Sequence, residues 1–471
     1  MVHAAETFKI LICDPVGLRQ GPNGKADFSG VKAYIEAKGG VFHNGPVNNP
    51  GDLELGRLHF FYQPHLSEKD ELIAAAGDGQ YDAVIAAATF LPPETVFMFG
   101  GVRIGAGTGN MGSRSWGGGD GEGGAAPLMN TPGINSRATA QMVMKALLRV
   151  LPDLPMEEMY KRVAEGAFDT GRDLLAYPTA KLEGRRIGIL GYGNIGREVA
   201  KLAAAFGMHV VVYARERHRP WIESEGFEYA VSPREAARAA DILSVHLGLG
   251  PKNPVTGHPI NRGVVDEGVL YALAPSAILI NFDRGELVDV AALGKALESG
   301  QLRHAAIDAD LFCHASTKAL SGPMQPYLEL VARFSDKLML LPHAAADTDH
   351  PSRVQGAKQA VDQIFDAILH KRVVNLKGSL PSGYTDGGTK IAAGVGPVSS
   401  RHLLAVAQSE AATGALVQDA SILAAFWQKL ASVPPEQRAQ ILAQDGEKAT
   451  LATNRLATTL GRQALLGPYQ D

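Results

Sequence analysis

Cysteine is scarce in this chain: Cys13 and Cys313 are the only two among 471 residues. Two cysteines are too few for a disulfide framework or a cysteine-ligated zinc site, so we expect no metal centre and a reducing cytoplasm. The sequence does not open with the basic-then-apolar segment of a signal peptide, and no apolar run approaches the roughly 20 residues that cross a bilayer. We therefore expect no membrane partner.

An excess of charge of either sign is also missing. The 45 Lys and Arg residues nearly balance 49 Asp and Glu, for a formal net charge of −4. Such a balance lacks the basic surface from which nucleic-acid binding draws its affinity, so nucleic acid is not an expected partner. Hydrophobic residues at 45% and charged residues at 20% indicate a globular protein with buried cores, and the length predicts two or three domains.

Short apolar runs alternate with helical patterns, which is typical of α/β folds. A first series contains FKILIC at residues 8–13 and YDAVIAAA at 81–88, and a helix predicted over 135–150 leads out of it. From Arg185 the alternation becomes regular, with the strands RRIGIL, HVVVYA, DILSVHL, AILINF and HAAIDAD. This second series predicts a parallel sheet with crossover helices. A further helix over 352–371 and an Ala-, Gln- and Leu-rich helical region after Ser382 complete the chain.

A GxGxxG pattern lies between the strand RRIGIL and the next helix. Its glycines are Gly191, Gly193 and Gly196. In that setting the first glycine permits a tight turn, the second lets the backbone approach a pyrophosphate and the third lets helix pack on strand. The sequence therefore predicts a dinucleotide site, with cofactor contacts from Gly191, Tyr192, Gly193, Asn194, Ile195 and Gly196.

The end of the following strand predicts which dinucleotide binds. NAD-binding folds place an acidic residue there for the adenosine ribose, but this chain has Ala214 followed by Arg215 and the basic run RHR at 217–219. Such a cluster suits a 2′-phosphate, so we expect NADP to be preferred over NAD. The alternative is a solvated basic loop in which Glu216 accepts from the ribose, which would favour NAD.

Five motifs in order resemble the D-isomer-specific 2-hydroxyacid dehydrogenases, the group that includes phosphoglycerate dehydrogenase, glyoxylate/hydroxypyruvate reductase and formate dehydrogenase. They are NTPGINSRATA (130–140), LEGRRIGILGYGNIG (182–196), INFDRGELVD (280–289), HAAIDAD (304–310) and LLPHAAADT (340–348). The resemblance implies a Rossmann-type doubly wound cofactor domain inserted in a flavodoxin-like α/β substrate domain. We expect domain segments at 1–150, 151–345 and 346–381, with a helical C-terminal extension over 382–471.

The resemblance also implies an active site in the cleft between these two domains. Arg284 would hold the substrate carboxylate and polarise its carbonyl, and His343 would exchange a proton with the substrate oxygen. Asp308 would meet the nicotinamide carboxamide. By the same resemblance, His246 and Thr256 complete the cofactor set, and substrate contacts come from Ala87, Ala106, Gly107 and Gly109.

This chain departs from the family pattern at the third catalytic position. The family has a glutamate there, five residues after the aspartate, which bonds the histidine and raises its pKa. Here the glutamate is absent, and the candidate substitutes are Asp310, Cys313 and His314. Its absence keeps a catalytically impaired dinucleotide-binding sensor or scaffold open as an alternative function.

Two further departures lie in the first 130 residues. The family's arginine-bearing loop is replaced by AAATF at 86–90, which removes a cation that would suit a phosphorylated substrate. A glycine-rich insertion at 113–124 follows, and we expect it to be either a mobile lid carrying Arg114 and Trp116 or a disordered excursion.

The sequence as a whole predicts an NADP-preferring, homodimeric oxidoreductase that interconverts a small 2-oxo acid and a D-2-hydroxy acid. An NAD-dependent dehydrogenase of the phosphoglycerate or formate type is the enzymatic alternative.

Overall fold

The computed structural model describes residues 6–17, 27–47, 53–151, 155–177, 180–313, 317–343, 350–389 and 400–460. The chain divides into two compact units: the first comprises Met1–Ser136 with Asp347–Asp471, and the second comprises Arg137–Ala346. None of the helices in the described ranges combines the length and apolar character that spanning a membrane requires.

The elements follow one another in the alternation that the apolar runs predict. Up to residue 150 they are β1 (Phe8–Ile12), α1 (Ser29–Ala37), β2 (Val41–Asn44), β3 (Leu58–Tyr62), α2 (Lys69–Ala76), β4 (Ala83–Ala86), β5 (Gly101–Arg103), β6 (Leu128–Asn130) and α3 (Ser136–Val150). Up to residue 342 they are α4 (Met156–Ala164), α5 (Thr170–Asp173), β7 (Arg186–Leu190), α6 (Asn194–Ala205), β8 (His209–Tyr213), α7 (Arg219–Ser224), β9 (Glu228–Ala230), α8 (Pro233–Ala237), β10 (Ile242–Val245), α9 (Glu267–Leu270), β11 (Ala277–Asn281), α10 (Val290–Glu298), β12 (Leu302–Ala309), β13 (Phe312–Cys313), β14 (Leu320–Ser321), α11 (Gln325–Phe334) and β15 (Leu338–Pro342). The remaining elements are α12 (His350–Leu369), β16 (Arg372–Val373), β17 (Leu376–Lys377), β18 (Thr385–Asp386), α13 (Ser400–Ala407), α14 (Glu410–Ala431) and α15 (Arg438–Thr459).

The first unit is built on a seven-stranded sheet of order β17-β6-β5-β4-β1-β3-β2, parallel except for the β17–β6 pair. Alternate residues of β1 point to opposite faces of this sheet. Ile10 and Ile12 join a core that α12 covers with Val361 and Ile364, whereas Leu11 joins the core on the other face. Both faces are therefore buried, as the flavodoxin-like expectation requires.

The second unit contains an all-parallel sheet of order β15-β12-β11-β10-β7-β8-β9. The strand order reverses at β7, which is the doubly wound arrangement of Rossmann folds. Helix α3 packs its apolar stripe of Ala140, Val143 and Leu147 into the core of this unit. The Rossmann-type and helical parts of the predicted fold are confirmed.

The glycine-rich insertion is neither a lid nor a disordered excursion. Trp116 is only 1% exposed, stacks on Phe97 with ring centroids 5.8 Å apart, and donates its indole N–H to the Met111 carbonyl at 2.8 Å. A single turn of 3₁₀-helix, Arg114–Trp116, carries it, and Gly117 ends that turn at φ +84°. The segment is therefore an ordered loop whose tryptophan anchors it in the first unit's core.

Helices α14 and α15 of the C-terminal region pair through a small core of their own, formed by Phe426, Leu430, Ile441 and Ala449. A buried carboxylate, Asp419, accepts from the Arg455 guanidinium at 2.6 and 2.9 Å. The Arg455 side chain is half exposed, so the pair joins α14 to α15 with only its carboxylate buried.

Candidate active site

The three glycines after β7 meet three different requirements. Gly191 has φ +107°, and a Cβ there would lie 2.2 Å from the His246 carbonyl oxygen. A Cβ on Gly196 would lie 2.1 Å from the carbonyl oxygen of Gly191. Gly193, in contrast, faces open space. Gly191 is required by its positive φ as well as by the nearby His246 carbonyl, Gly196 is required by the close packing of helix on strand, and Gly193 leaves an open cradle beside the turn.

That cradle lies at the start of α6. Gly193 is the N-cap of this helix and makes no side-chain cap hydrogen bond, so the helix presents N–H groups of its first turn and the positive end of its dipole. Asn194 and Ile195 begin the helix. An open cradle at a helix N-terminus fits the pyrophosphate of a dinucleotide.

Tyr192 contributes to this turn with its backbone alone. Its side chain is buried and its hydroxyl donates to Glu225, whose carboxylate also accepts from the fully buried guanidinium of Arg197. The predicted cofactor contact of Tyr192 can therefore involve its main chain and not its phenol.

His246 lies beside the same turn, at the end of β10. Burial lowers the pKa of His246 to about 3, so its imidazole is neutral. Nε2 lies 2.8 Å from Ser244 Oγ, and Nδ1 has no hydrogen-bond partner among the described residues. A buried polar atom of this kind next to an open cradle is consistent with a ligand contact. Thr256, in contrast, lies in an exposed turn, where its amide donates to Asn253.

The end of β8 carries several basic side chains. Ala214 is buried, and its carbonyl accepts from the Tyr229 hydroxyl at 3.1 Å. Arg215 and Arg217 are exposed, and burial together with their two charges lowers the pKa of His218. The structure places no carboxylate within ion-pairing distance of either arginine in the described part of the chain. These cations are thus not neutralised by the fold.

The next arginine along the chain, Arg219, already contacts other side chains of the fold. Arg219 bonds Glu223 at 2.7 Å and lies over the ring of Tyr229. It therefore differs from Arg215 in having a fixed intramolecular role.

The carboxyl ends of β11, β12 and β15 bring the reactive residues together. Arg284 follows β11, Asp308 is the second-last residue of β12, and His343 follows β15. The three strands are consecutive neighbours and parallel, so their carboxyl ends share one edge of the sheet. His343 Nδ1 lies 2.6 Å from Asp308 Oδ1, and Arg284 Nη1 lies 3.9 Å from Asp310 Oδ2.

The loop that carries Arg284 is held by two hydrogen bonds. The side-chain amide of Asn281 donates to the Arg284 carbonyl at 3.0 Å, and the buried Tyr327 hydroxyl donates to the Gly285 carbonyl at 2.6 Å. The backbone is thus fixed while the guanidinium remains exposed.

Electrostatics at this edge favour a protonated histidine. Burial alone would lower the pKa of His343, but the hydrogen bond and charge of Asp308 act in the opposite direction and prevail. Arg284 lowers it and Asp310 raises it by smaller amounts, and the pKa of His343 is raised overall. Burial also raises the pKa of Asp283, to about 6, against the charges of Arg284 and His343.

The carboxylate that contacts His343 is not one that the sequence singled out for this role. Asp310 pairs with Arg284, and Cys313 lies in the exposed two-residue strand β13. His314 lies outside the described residues. The signal that identifies Asp308 is the register of β12 and β15. Asp308 lies opposite Leu341, and Leu341 precedes His343 by two residues.

The residues predicted to bind substrate lie at the carboxyl edge of the first unit's sheet. Asp14, an aspartate that no sequence motif marks, accepts from the amide of Ala87 at 2.6 Å and from that of Ala88 at 3.1 Å. The Ala87 amide is therefore already hydrogen-bonded. Ala106 and Gly107 are exposed, and their amides have no partner among the described residues.

The turn at 105–107 is nevertheless well anchored. Thr131 accepts from the amide of Gly105 at 2.7 Å, and Asn130 donates its side-chain amide to the Ala106 carbonyl at 2.7 Å. Because that carbonyl points inward, the following N–H group of Gly107 points outward, as in anion-binding nests. Gly109 faces open space in the same loop.

Comparison with known proteins finds relatives for the part of the chain that holds these residues. The sequence model of the D-isomer specific 2-hydroxyacid dehydrogenase NAD binding domain matches residues 146–345. A glyoxylate reductase of Aeropyrum pernix is 32% identical over 250 residues, which is 53% of this chain and 68% of the relative. A D-3-phosphoglycerate dehydrogenase of Methanocaldococcus jannaschii is 27% identical over 251 residues, or 53% of this chain and 43% of the relative.

Among solved structures, an acyclic imino acid reductase in complex with NADPH and D-Arg superposes with a TM-score of 0.52 at 20% identity. It covers 78% of this chain and 99% of its own. At that identity the likeness concerns the fold. The family model, the glyoxylate reductase match and the order of the five motifs agree, and the chain belongs to the D-isomer specific 2-hydroxyacid dehydrogenase family, with an NAD(P)-binding domain at its centre.

Proposed function

We propose that the protein is an oxidoreductase that interconverts a small 2-oxo acid and the corresponding D-2-hydroxy acid, with NADP as its preferred cofactor. One observation carries the proposal: Arg284 and His343 lie at the carboxyl edge of the same sheet whose GxGxxG turn forms an open cradle. In open α/β sheets, ligands bind at this edge.

The chemistry follows from the two side chains. A reduced nicotinamide, when bound, would supply the hydride that adds to the substrate's carbonyl carbon. Arg284 binds the carboxylate and polarises the carbonyl through charge-assisted hydrogen bonds. Protonated His343 donates a proton to the carbonyl oxygen as charge develops there, and its raised pKa keeps that proton available near neutral pH.

The preference for NADP rests on the end of β8. Ala214 offers no carboxylate to the ribose, and Arg215 and Arg217 are exposed cations that the fold leaves unneutralised. A 2′-phosphate would be bound by such cations, whereas NAD would gain nothing from them.

A small, unphosphorylated substrate is favoured by the first unit. The loop at 86–90 has no cation, and the amides of Ala87 and Ala88 already bond to Asp14. The exposed amides of Ala106 and Gly107 are the anion contacts that this unit offers.

A cofactor-oxidation assay tests the proposal. Glyoxylate, hydroxypyruvate, pyruvate, longer 2-oxo acids and 3-phosphohydroxypyruvate are each assayed with NADPH and NADH. We expect turnover with the unphosphorylated acids and higher kcat/KM with NADPH. Tight NADPH binding without turnover of any 2-oxo acid would instead support a sensor or scaffold.

We also propose a homodimer, because helix α4 has no buried residue. Met156, Tyr160 and Val163 form an apolar face of that helix and are all more than half exposed. A soluble chain gains by covering such a face. Light scattering coupled to size-exclusion chromatography measures the mass directly, and Tyr160→Glu is expected to shift it toward the monomer.

A further inference from the structure

His343 has lost the partner that its family provides, yet it is not left without a carboxylate. A histidine that donates protons near neutral pH needs a group that fixes its ring and stabilises its charged form. Position 313, where the glutamate would stand, is a cysteine in an exposed strand. A replacement carboxylate lies on the neighbouring strand, β12.

Asp308 fulfils the geometric requirements. Its side chain is 5% exposed, and Oδ1 lies 2.6 Å from Nδ1 of His343. That separation is short for a nitrogen–oxygen hydrogen bond, as expected when one or both groups are charged. A main-chain hydrogen bond joins the same two segments, since the amide of His343 donates to the Ala309 carbonyl at 3.0 Å.

We propose that Asp308 is the positioning residue of His343 and takes the place of the family's glutamate. An ionised carboxylate only accepts hydrogen bonds, so Nδ1 must carry a proton, and Nε2 is left to exchange the other proton with the substrate. The proton-exchange step rests on the proposed function. The Nδ1-protonated tautomer of His343 and its raised titration midpoint do not depend on the proposed function, since both are properties of the protein without substrate or cofactor.

Other charged groups face the same imidazole, and each shifts the pKa of His343 in a defined direction. Arg284, after β11, opposes protonation, whereas Asp310, after β12, favours it without a hydrogen bond to the ring. Asp283, also after β11, interacts with His343 through charge. Asp310 is therefore the matched control for Asp308, because it supplies charge alone.

The assignment leaves the predicted cofactor contact of Asp308 in place. A carboxylate has two oxygens, and Oδ1 serves the imidazole. By the family resemblance, the carboxamide of a bound nicotinamide would donate to the same carboxylate. Asp308 would then contact both the His343 imidazole, which donates the proton, and the nicotinamide, which donates the hydride.

Histidine ¹⁵N NMR on the full chain tests the proposal without requiring turnover. The His343 signal is identified by its loss in His343→Gln. In the wild type we expect a neutral form protonated at Nδ1 and a titration midpoint above that of an ordinary histidine. A neutral form protonated at Nε2 alone would overturn the proposal without any Asp308 variant.

The variants then separate hydrogen bond from charge. Asp308→Asn is expected to lower the midpoint by at least about one pH unit, the equivalent of a charged hydrogen bond. Asp310→Asn should lower it less, and Cys313→Ser should leave it unchanged. An unshifted midpoint in Asp308→Asn, or an equal shift in Cys313→Ser, contradicts the proposal. Asp308→Glu should recover part of the shift.

The pH profile of reduction adds the link to function. Reduction needs protonated His343, so kcat/KM is full below the midpoint and falls as the pH rises through it. In Asp308→Asn this fall should move to lower pH together with the NMR midpoint. If the NMR midpoint moves and no 2-oxo acid is turned over, the Asp308–His343 bond stands and the proposed function fails.

Discussion

Arg284 and Asp310 form an ion pair across the carboxyl edge of the second unit's sheet, with Nη1 and Oδ2 3.9 Å apart. Both side chains are more than one-third exposed, so solvent screens the pair and it contributes little to stability. The carboxylate of Asp310 nevertheless occupies the neighbourhood in which Arg284 would bind a substrate carboxylate.

Removing that competitor should tighten substrate binding. In Asp310→Asn we expect KM for the best 2-oxo acid to fall roughly two- to fivefold, the range of an exposed ion pair. Cofactor affinity should not change. Steady-state kinetics at a pH below the His343 midpoint measures the effect, and a raised KM would mean that Asp310 assists binding.

The two reactive side chains should matter for turnover but not for the cofactor. His343→Ala is expected to lower kcat by roughly 10²–10⁴-fold, the usual contribution of general acid catalysis. Arg284→Ala should also raise KM, since it removes the carboxylate contact. Fluorescence titration with NADPH provides the control. Retention of most turnover in His343→Ala would show that another group donates the proton.

Local patterns predicted most strands of the second unit's sheet but only β1 and β4 clearly in the first, because apolar runs, glycine positions and motif order report on neighbouring residues. The Asp308–His343 bond was not predictable in that way. It joins residues 35 positions apart and depends on which residue of β12 lies opposite Leu341 of β15. The glycine-rich insertion was misjudged for a similar reason: its composition indicates freedom of the backbone, whereas the burial of Trp116 against Phe97 removes it.

Cofactor preference should depend on Arg215. Arg215→Ala is expected to weaken NADPH binding about tenfold or more, as the loss of a charged hydrogen bond implies, and to leave NADH binding unchanged. Arg219→Ala is the matched control, because Arg219 is engaged by Glu223 and Tyr229. Calorimetry with both cofactors measures the difference. Equal affinities of the wild type for NADPH and NADH would contradict the preference.

The first unit should lose stability when its loop anchor is removed. Trp116→Ala deletes a buried indole, which typically costs about 3–5 kcal/mol. Trp427 is 63% exposed, so Trp427→Ala should stay within about 0.5 kcal/mol of the wild type. Urea unfolding of the two variants, followed by circular dichroism, makes the comparison. Similar losses for both would mean that the insertion does not depend on Trp116.

Gly193 distinguishes a glycine kept for a ligand from one kept for the fold. Its φ is −84°, and a Cβ would meet no protein atom within 4 Å, so Gly193→Ala should fold with an unchanged melting temperature. The added methyl group would lie in the cradle at the start of α6, where a pyrophosphate needs close approach to the backbone. We therefore expect NADPH affinity to fall sharply, in contrast to Gly414→Ala, an exposed helical site where a Cβ also meets nothing. Calorimetry and thermal unfolding of both variants decide the matter: if Gly193→Ala binds NADPH as the wild type does, the pyrophosphate is not held at this turn.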